Sequence, residues 1–140
     1  MSASDLGPAE QALLDTARQA RLGAYAPYSS FPVGAALRTA DGAVFTGANV
    51  ENAAFSPTMC AERVALPAAV IAGHRTFSAI AIVGTGDGPC TPCGVCRQAL
   101  YEFAPGLVVI AAGETGDILR LRLETDLLPH GFGPRRLSSG

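Results

Sequence analysis

The order of helix-forming and strand-forming segments predicts an α/β fold, namely a three-layer α/β/α sandwich around a mixed sheet. Apolar residues recur at helical spacing in some segments and form short strand-like runs in others. These segments follow the order helix, two strands, helix, strand, helix, two strands and tail. With 140 residues and 49% apolar content, the chain has the size of one domain spanning 1–140 with a buried core.

The first half of the chain predicts a helix, a β-hairpin and a second helix. Asp41 and Gly42 form a dipeptide suited to the tight turn of a hairpin. Ser56 followed by Pro57 is typical of a helix N-cap with proline at the first helical position, and Pro67 would lie inside that helix. The predicted elements are a helix over 8–22, strands over 31–39 and 43–50, and a helix over 57–72.

The second half predicts a buried strand that enters a loop rich in glycine and proline, and then a third helix. Two further strands follow, separated by a short polar segment. The predicted elements are a strand over 77–84, a loop over 85–92, a helix over 93–103, and strands over 107–112 and 118–124. Both ends, 1–7 and 134–140, are expected to be poorly ordered.

The charge pattern argues against nucleic-acid and membrane partners. The formal charge is −2, and the ten basic residues are all arginines scattered along the chain, which is a poor surface for a phosphate backbone. The N-terminus is polar and acidic, unlike a signal peptide, and the apolar stretches are shorter than the roughly 20 residues that span a bilayer. We therefore expect a soluble cytoplasmic protein whose four cysteines serve metal binding or catalysis.

Three of these cysteines lie near predicted helix starts, together with a glutamate. Cys93 and Cys96 are three positions apart, so their sulfurs can face one ion, and a helix N-terminus favours thiolate. Cys60 and Glu62 would be about 200° apart on an ideal helix, so their spacing alone does not unite them. In a first helical turn, however, both can approach a ligand at the end of the axis. Three protein ligands with one open position indicate a catalytic rather than a structural zinc site.

Cys-Ala-Glu followed by Pro-Cys-Gly-Val-Cys resembles the signature of the zinc nucleoside deaminases in its three-thiolate form. Other segments follow in the order found in the small, homotetrameric cytidine deaminases. These segments are Ala24–Ser29, Phe31–Ala36, Asn49–Asn52, Cys60–Arg63, Pro92–Gln98 and Leu127–Pro129. The resemblance to the cytidine deaminase family covers most of the chain and implies the same fold.

The resemblance implies that Cys60, Cys93 and Cys96 hold a Zn²⁺ ion and that Glu62 moves protons. In that chemistry, zinc lowers the pKa of water, and the resulting hydroxide attacks C4 of cytosine. Glu62 would take the proton of the water, protonate N3 and help to deliver a proton to the departing amino group. The products would be ammonia and uridine, as in pyrimidine salvage.

The resemblance also implies the residues that contact the nucleoside. Asn49 and Glu51 would hold the sugar hydroxyl at the 3′ position, and Phe31 would line the pocket. Because cytidine and deoxycytidine both carry that hydroxyl, either could be the substrate. In a homotetramer, Phe132 of a neighbouring subunit would cover the base.

Three thiolates and one Zn²⁺ leave a net charge of −1, which weakens the ion as a Lewis acid. Arg63 and Arg97 each directly follow a residue of the motif. We hypothesise that one or both of these arginines donate hydrogen bonds to the ligand sulfurs.

Cys90 supports a different class of protein. Cys90, Cys93 and Cys96 form a C-x-x-C-x-x-C run that, with Cys60, could build a closed four-cysteine zinc site or an iron–sulfur site. Such a site would leave Glu62 without a role, and we therefore interpret Cys90 as a loop thiol. A blasticidin-type or other nucleobase deaminase would use the same core and is a third hypothesis.

Overall fold

Five strands form one mixed sheet in the computed structural model, which describes residues 1–137. Across the sheet the strands follow the order β2-β1-β3-β4-β5. Strands β3 and β4 are parallel, and the other neighbouring pairs are antiparallel. The strands are β1 Gly34–Thr39, β2 Val44–Ala48, β3 Phe77–Val83, β4 Val108–Ala112 and β5 Leu119–Arg122. The mixed sheet is therefore confirmed, whereas the single domain over 1–140 stays a prediction.

Three α-helices cover the two faces of this sheet. They are α1 Pro8–Arg21, α2 Ala61–Ile71 and α3 Gly94–Tyr101. Shorter helical turns are also present, namely 3₁₀ turns at Ala3–Asp5 and Pro134–Arg136 and a π-helical turn at Leu123–Leu127. Helix α1 packs on one face of the sheet, and α2 and α3 pack on the other. This arrangement confirms the predicted α/β/α sandwich. Within residues 1–137, no helix is both long enough and apolar enough to cross a membrane.

The two cores arise because successive side chains of a strand point to opposite faces of the sheet. In β1, Ala36 faces α1, and the next residue, Leu37, faces the layer of α2 and α3. In β3, Ile80 faces the α2 and α3 layer and Ala81 faces α1. The central strands are therefore apolar on both faces, which explains why their sequences form continuous apolar runs.

Helix α2 begins at Ala61 and not at Pro57, so the predicted cap at Ser56 is wrong. The preceding residues are held in another conformation, because Val50 and Met59 exchange two backbone hydrogen bonds of 2.9 Å each. This pairing fixes Met59 beside Val50, so the chain is extended only just before the helix. Pro67 lies inside α2, as predicted, and is exposed.

The expectation of a poorly ordered N-terminal end is also wrong. The Met1 ammonium donates to the Ile118 carbonyl at 3.0 Å, and the Ile118 amide donates back to the Met1 carbonyl at 2.8 Å. Leu6 is buried in the core beneath α1. At the other end, residues 134–137 form a 3₁₀ turn and its cap, and residues 138–140, to which the same expectation applied, lie outside the described part of the chain.

Strand β2 and helix α2 touch backbone to backbone at Gly47. A Cβ atom on Gly47 would lie 2.3 Å from the Ala61 carbonyl oxygen and 2.7 Å from the Ala65 amide nitrogen. We expect Gly47→Ala to lower the free energy of unfolding by roughly 2 kcal/mol or more, because a backbone contact cannot be relieved by a side-chain rotation. Denaturation in urea measures the change.

Gly106→Ala is the matched control, because its nearest neighbour would be the Arg122 side chain at 3.6 Å. We expect that variant to change the free energy of unfolding by less than about 0.5 kcal/mol. Equal stabilities of the two variants would contradict the close approach at Gly47.

Candidate metal centre and active site

Cys60 is the N-cap residue of α2, with an extended backbone at φ −70° and ψ 153°. It therefore lies just outside the helix, while Glu62 lies in the first helical turn. The angular separation that an ideal helix would impose on Cys60 and Glu62 does not apply. The late start of α2 is the reason that both residues can border one site.

Helix α3 repeats this layout. Cys93 is its N-cap residue, with φ −67° and ψ 168°, and Cys96 lies in its first turn. Side chains at the N-cap position and three residues later meet at the start of a helix, as they do in a capping box. Cys93 is exposed, whereas Cys96 is buried.

The sulfur atoms of Cys60, Cys93 and Cys96 all lie within 4.8 Å of one another. The Cys60 and Cys93 sulfurs are 3.8 Å apart. Two thiolates that bind one tetrahedral zinc ion at about 2.3 Å would have their sulfurs at about this separation. The three soft sulfur donors therefore fit Zn²⁺ as the resemblance implied.

One arginine and two helix N-termini place positive charge beside these sulfurs. Two helix N-termini point at the cluster, and the Arg63 Nη2 atom donates to the Cys60 sulfur at 3.5 Å. A hydrogen bond from Cys96, followed by that from Arg63, lowers the pKa of Cys60 to about 5. The same hydrogen bond, followed by burial, raises the pKa of Cys96. These contacts thus stabilise the thiolate of Cys60, which is the form of cysteine that binds metal.

Of the two arginines hypothesised to donate to the ligand sulfurs, Arg63 donates to Cys60, whereas Arg97 bonds elsewhere. Its Nε atom donates to the Pro92 carbonyl at 2.7 Å, and its Nη1 atom donates to the Leu127 carbonyl at 2.9 Å. Arg97 therefore ties the segment before Cys93 to the π-helical turn. Its guanidinium fixes the backbone at the start of α3, and the hydrogen bond to a clustered sulfur comes from Arg63.

The Glu62 side chain is 4% exposed and borders the same space as the cysteines. Burial, followed by the negative charge of Cys60, raises the pKa of the Glu62 carboxyl group. A hydrogen bond with the backbone of Glu62 partly offsets this increase. A carboxyl group in this position borders the same cavity as the cysteines without being one of the three clustered donors. It can hold or release a proton beside the open side of the cluster.

A cavity of about 270 Å³ opens in front of the cluster. Its walls come from the segment before β1, the segments on either side of the Val50–Met59 pairing, and the loop before α3. The residues that line it are Ser29, Phe31, Val33, Asn49, Glu51, Thr58, Met59, Cys60, Ala61, Glu62, Cys90, Thr91 and Cys93. The cavity therefore brings together every predicted nucleoside contact except Phe132.

Asn49 is 8% exposed and bridges two backbone groups of one wall. Its Nδ2 atom donates to the Phe31 carbonyl at 2.9 Å, and its Oδ1 atom accepts the Val33 amide at 2.9 Å. One N–H of the side-chain amide remains for a further partner. Asn49 thus fixes the position of Phe31, which is 41% exposed on the cavity wall.

Glu51 is held by the turn that precedes Phe31. Its Oε1 atom accepts the Tyr28 and Ser29 amides at 2.9 and 3.1 Å, and its Oε2 atom accepts the Ser29 hydroxyl. The Ser29 hydroxyl, followed by the Ser29 amide, lowers the pKa of the Glu51 carboxyl. Glu51 therefore lines the cavity as an ionised acceptor of fixed orientation.

Cys90 lines the cavity but stays outside the group of sulfurs close enough to share one ion. Burial, and then the charges of Glu62 and Cys60, raises the pKa of its thiol to about 11. The three clustered sulfurs leave one of the four positions around a tetrahedral zinc ion open. The geometry therefore favours the open three-cysteine site over the closed four-cysteine site.

Sequence reasoning missed the role of Ser29, although Ser29 lies in a segment that carried the family resemblance. Its Oγ atom accepts the Phe31 amide at 3.0 Å, which is a local turn that serine often forms two residues before its partner. That short spacing was a usable signal. The hydrogen bond to Glu51 joins residues 22 positions apart and had no sequence signal.

Comparison with known proteins agrees with this geometry. Residues 8–112 match the family model described as the cytidine and deoxycytidylate deaminase zinc-binding region. The chain is 46% identical to a cytidine deaminase of Sporosarcina psychrophila, over 90% of this chain and 93% of that protein. It is 47% identical to one from Halalkalibacterium halodurans, over 87% of this chain and 92% of that protein.

A solved structure, the cytidine deaminase from Burkholderia pseudomallei, superimposes with a TM-score of 0.83 and 51% identity, covering 86% of this chain and 97% of that one. A helix-covered mixed sheet with a three-cysteine cluster at two helix starts defines a zinc-dependent deaminase. Within that class, the chain belongs to the cytidine deaminase family. Cys60, Cys93 and Cys96 form the cluster that could bind its zinc.

We expect Cys90→Ala to retain one zinc ion per chain, because the Cys90 sulfur is not among the three clustered sulfurs. Cys96→Ala is the matched variant and should lose the metal, since it removes one of those sulfurs. Zinc analysis of the purified proteins measures both. Loss of zinc from Cys90→Ala, or a visible iron–sulfur absorption in the wild type, would establish the closed four-cysteine site instead.

Proposed function

We propose that the chain catalyses the hydrolytic deamination of cytidine and deoxycytidine to uridine and deoxyuridine, with release of ammonia. One observation carries the proposal, which is that the three clustered sulfurs and the buried Glu62 carboxyl border the same cavity. Relatives that are 46% and 47% identical over most of this chain are named cytidine deaminases. The activity would serve pyrimidine salvage.

In this proposal, Cys60, Cys93 and Cys96 hold the zinc, which supplies the Lewis acidity that makes water nucleophilic near neutral pH. Glu62 takes a proton from the attacking water, transfers a proton to N3 of the base, and later helps to protonate the departing amino group. Its burial favours this role, because the carboxyl group is shielded from bulk water and faces the cavity. Arg63 offsets the negative charge of the thiolates through its hydrogen bond to Cys60.

We assign recognition of the sugar to Asn49 and Glu51. Asn49 keeps one free N–H after its two backbone bonds, and Glu51 is an ionised acceptor on the cavity wall. A donor and an acceptor side by side suit one hydroxyl group, which is the 3′-hydroxyl in our proposal. Phe31 supplies the aromatic wall beside them.

We further propose a homotetramer in which Phe132 of one chain covers the base bound by another. The cavity of one chain, about 270 Å³, is slightly smaller than the roughly 300–1,000 Å³ of sites that bury most of a ligand. The Phe132 side chain is 56% exposed, while its carbonyl is anchored by Gln98 at 2.8 Å. A held backbone with an outward aromatic side chain is the arrangement that contact with another chain requires.

We propose a cytoplasmic location for this enzyme. Zinc binding requires all three cysteines in reduced form, and the cytosol keeps thiols reduced. The four cysteines are free, although the Cys60 and Cys93 sulfurs are only 3.8 Å apart. An oxidising compartment would favour a disulfide between them over a metal site.

Glu62→Gln should retain zinc and the fold while kcat for cytidine falls by at least roughly 10²- to 10⁴-fold, because an amide of the same shape cannot move a proton. Steady-state ammonia release and zinc analysis measure the two effects. Asp15→Asn, an exposed carboxylate on α1 across the sheet, is the control and should keep full activity. Near-wild-type deamination by Glu62→Gln would remove Glu62 from the mechanism.

Phe132→Ala should raise KM for cytidine without loss of zinc, because it removes a cover of the base but no ligand. Mixing it with Glu62→Gln chains and allowing subunits to exchange should restore activity, since some sites then combine an intact Glu62 with the Phe132 of another chain. Kinetics on the mixture measures the restoration. A fully active monomer in sedimentation, or a mixture no more active than its parts, would contradict contribution between chains.

A further inference from the structure

Ser29 lies where two walls of the cavity meet. Its hydroxyl group donates to Glu51 Oε2, and the Oγ atom of that hydroxyl accepts the Phe31 amide at 3.0 Å. Its own amide donates to the other carboxylate oxygen, Oε1, at 3.1 Å. One serine therefore connects a charged and an aromatic residue that both line the cavity.

The Glu51 carboxylate can accept one hydrogen bond more than these contacts use. An ionised carboxylate offers about four acceptor positions. On Glu51, Oε1 accepts the amides of Tyr28 and Ser29, and Oε2 accepts the Ser29 hydroxyl. One acceptor position on Oε2 therefore remains. The Ser29 hydroxyl occupies the other acceptor position of Oε2, so its bond limits the directions from which a further donor can approach that oxygen.

We propose that Ser29 is a positioning residue for sugar recognition: it orients the Glu51 carboxylate toward the sugar hydroxyl and links that orientation to the position of Phe31. The inference rests on the proposed function of Glu51 as a ligand of the sugar. Ser29 acts through Glu51 and not on the reacting atoms of the base. The lowered pKa of Glu51 agrees with this role, because the Ser29 hydroxyl is its largest cause.

Loss of Ser29 should have different effects on two substrates that differ in one hydroxyl group. Cytidine carries the 3′-hydroxyl, whereas 3′-deoxycytidine lacks it and leaves the free position of Glu51 unused. If Ser29 acts mainly through Glu51, its loss should affect the first substrate much more than the second. If Ser29 merely stabilises the loop, its loss should affect both substrates equally, since both need Phe31 in place.

The test compares both substrates in steady-state assays of the zinc-loaded protein. We expect Ser29→Ala to lower kcat/KM for cytidine by roughly tenfold, mostly through KM, because a bond far from C4 contributes equally to the ground state and the transition state. With 3′-deoxycytidine the change should stay below about threefold. Ser29→Thr, which keeps a hydroxyl, should restore the preference for cytidine.

A second measurement does not depend on turnover. Removing the Ser29 hydroxyl should raise the pKa of the Glu51 carboxyl toward its ordinary value, which NMR titration of the labelled side chain detects. If Ser29→Ala fails to fold, Ser29→Cys provides the same comparison with a weaker donor of similar size. An equal loss with both substrates, or no loss with either, would overturn the proposal.

Glu51→Gln distinguishes failure of this inference from failure of the proposed function. If Glu51→Gln keeps the full preference for cytidine over 3′-deoxycytidine, Glu51 does not bind the sugar, and the proposed function of that residue fails. If Glu51→Gln loses the preference and Ser29→Ala keeps it, Glu51 binds the sugar without Ser29, and only this inference fails. Combining both substitutions should cost little more than Glu51→Gln alone.

Discussion

The site depends on the approach of two helix N-termini to one point. Three sulfurs within 4.8 Å of one another would repel as thiolates, and they are tolerated because α2, α3 and Arg63 all direct positive potential at them. Each helix has a cysteine at its N-cap, where serine, threonine, asparagine or aspartate would stabilise it better. Neither cysteine side chain caps its own helix. The helix ends therefore lose some stability, which metal binding can offset.

The sheet makes this approach possible. Helix α3 connects the parallel strands β3 and β4, so its N-terminus lies at the edge of the sheet where β3 ends. Helix α2 leads into β3 from the same face, so its N-terminus lies at that edge as well. The site then lies where ligands commonly bind in α/β sheets, outside the carboxyl end of a strand.

Local patterns predicted much of this structure because they act over a few residues. Alternating and continuous apolar runs located all five strands, and the Asp41-Gly42 turn located the hairpin. The cysteine motif located the three sulfurs. Long-range contacts were beyond such patterns. The Val50–Met59 pairing explains why α2 begins later than predicted, and the Met1–Ile118 pairing explains why the N-terminal end is ordered. Arg97 donates to the Leu127 carbonyl and not to the sulfurs.

The walls of the cavity differ in how they are held, and the backbone contact at Gly47 supports one of them. The cysteine side stands on helix starts, one of which is pressed against β2 with no side chain between them. Another wall is a loop held by the side chains of Asn49 and Glu51. Local opening begins where few buried contacts resist it. Any local opening of the cavity should therefore begin in this loop, while the helix starts that carry the three clustered sulfurs keep their positions.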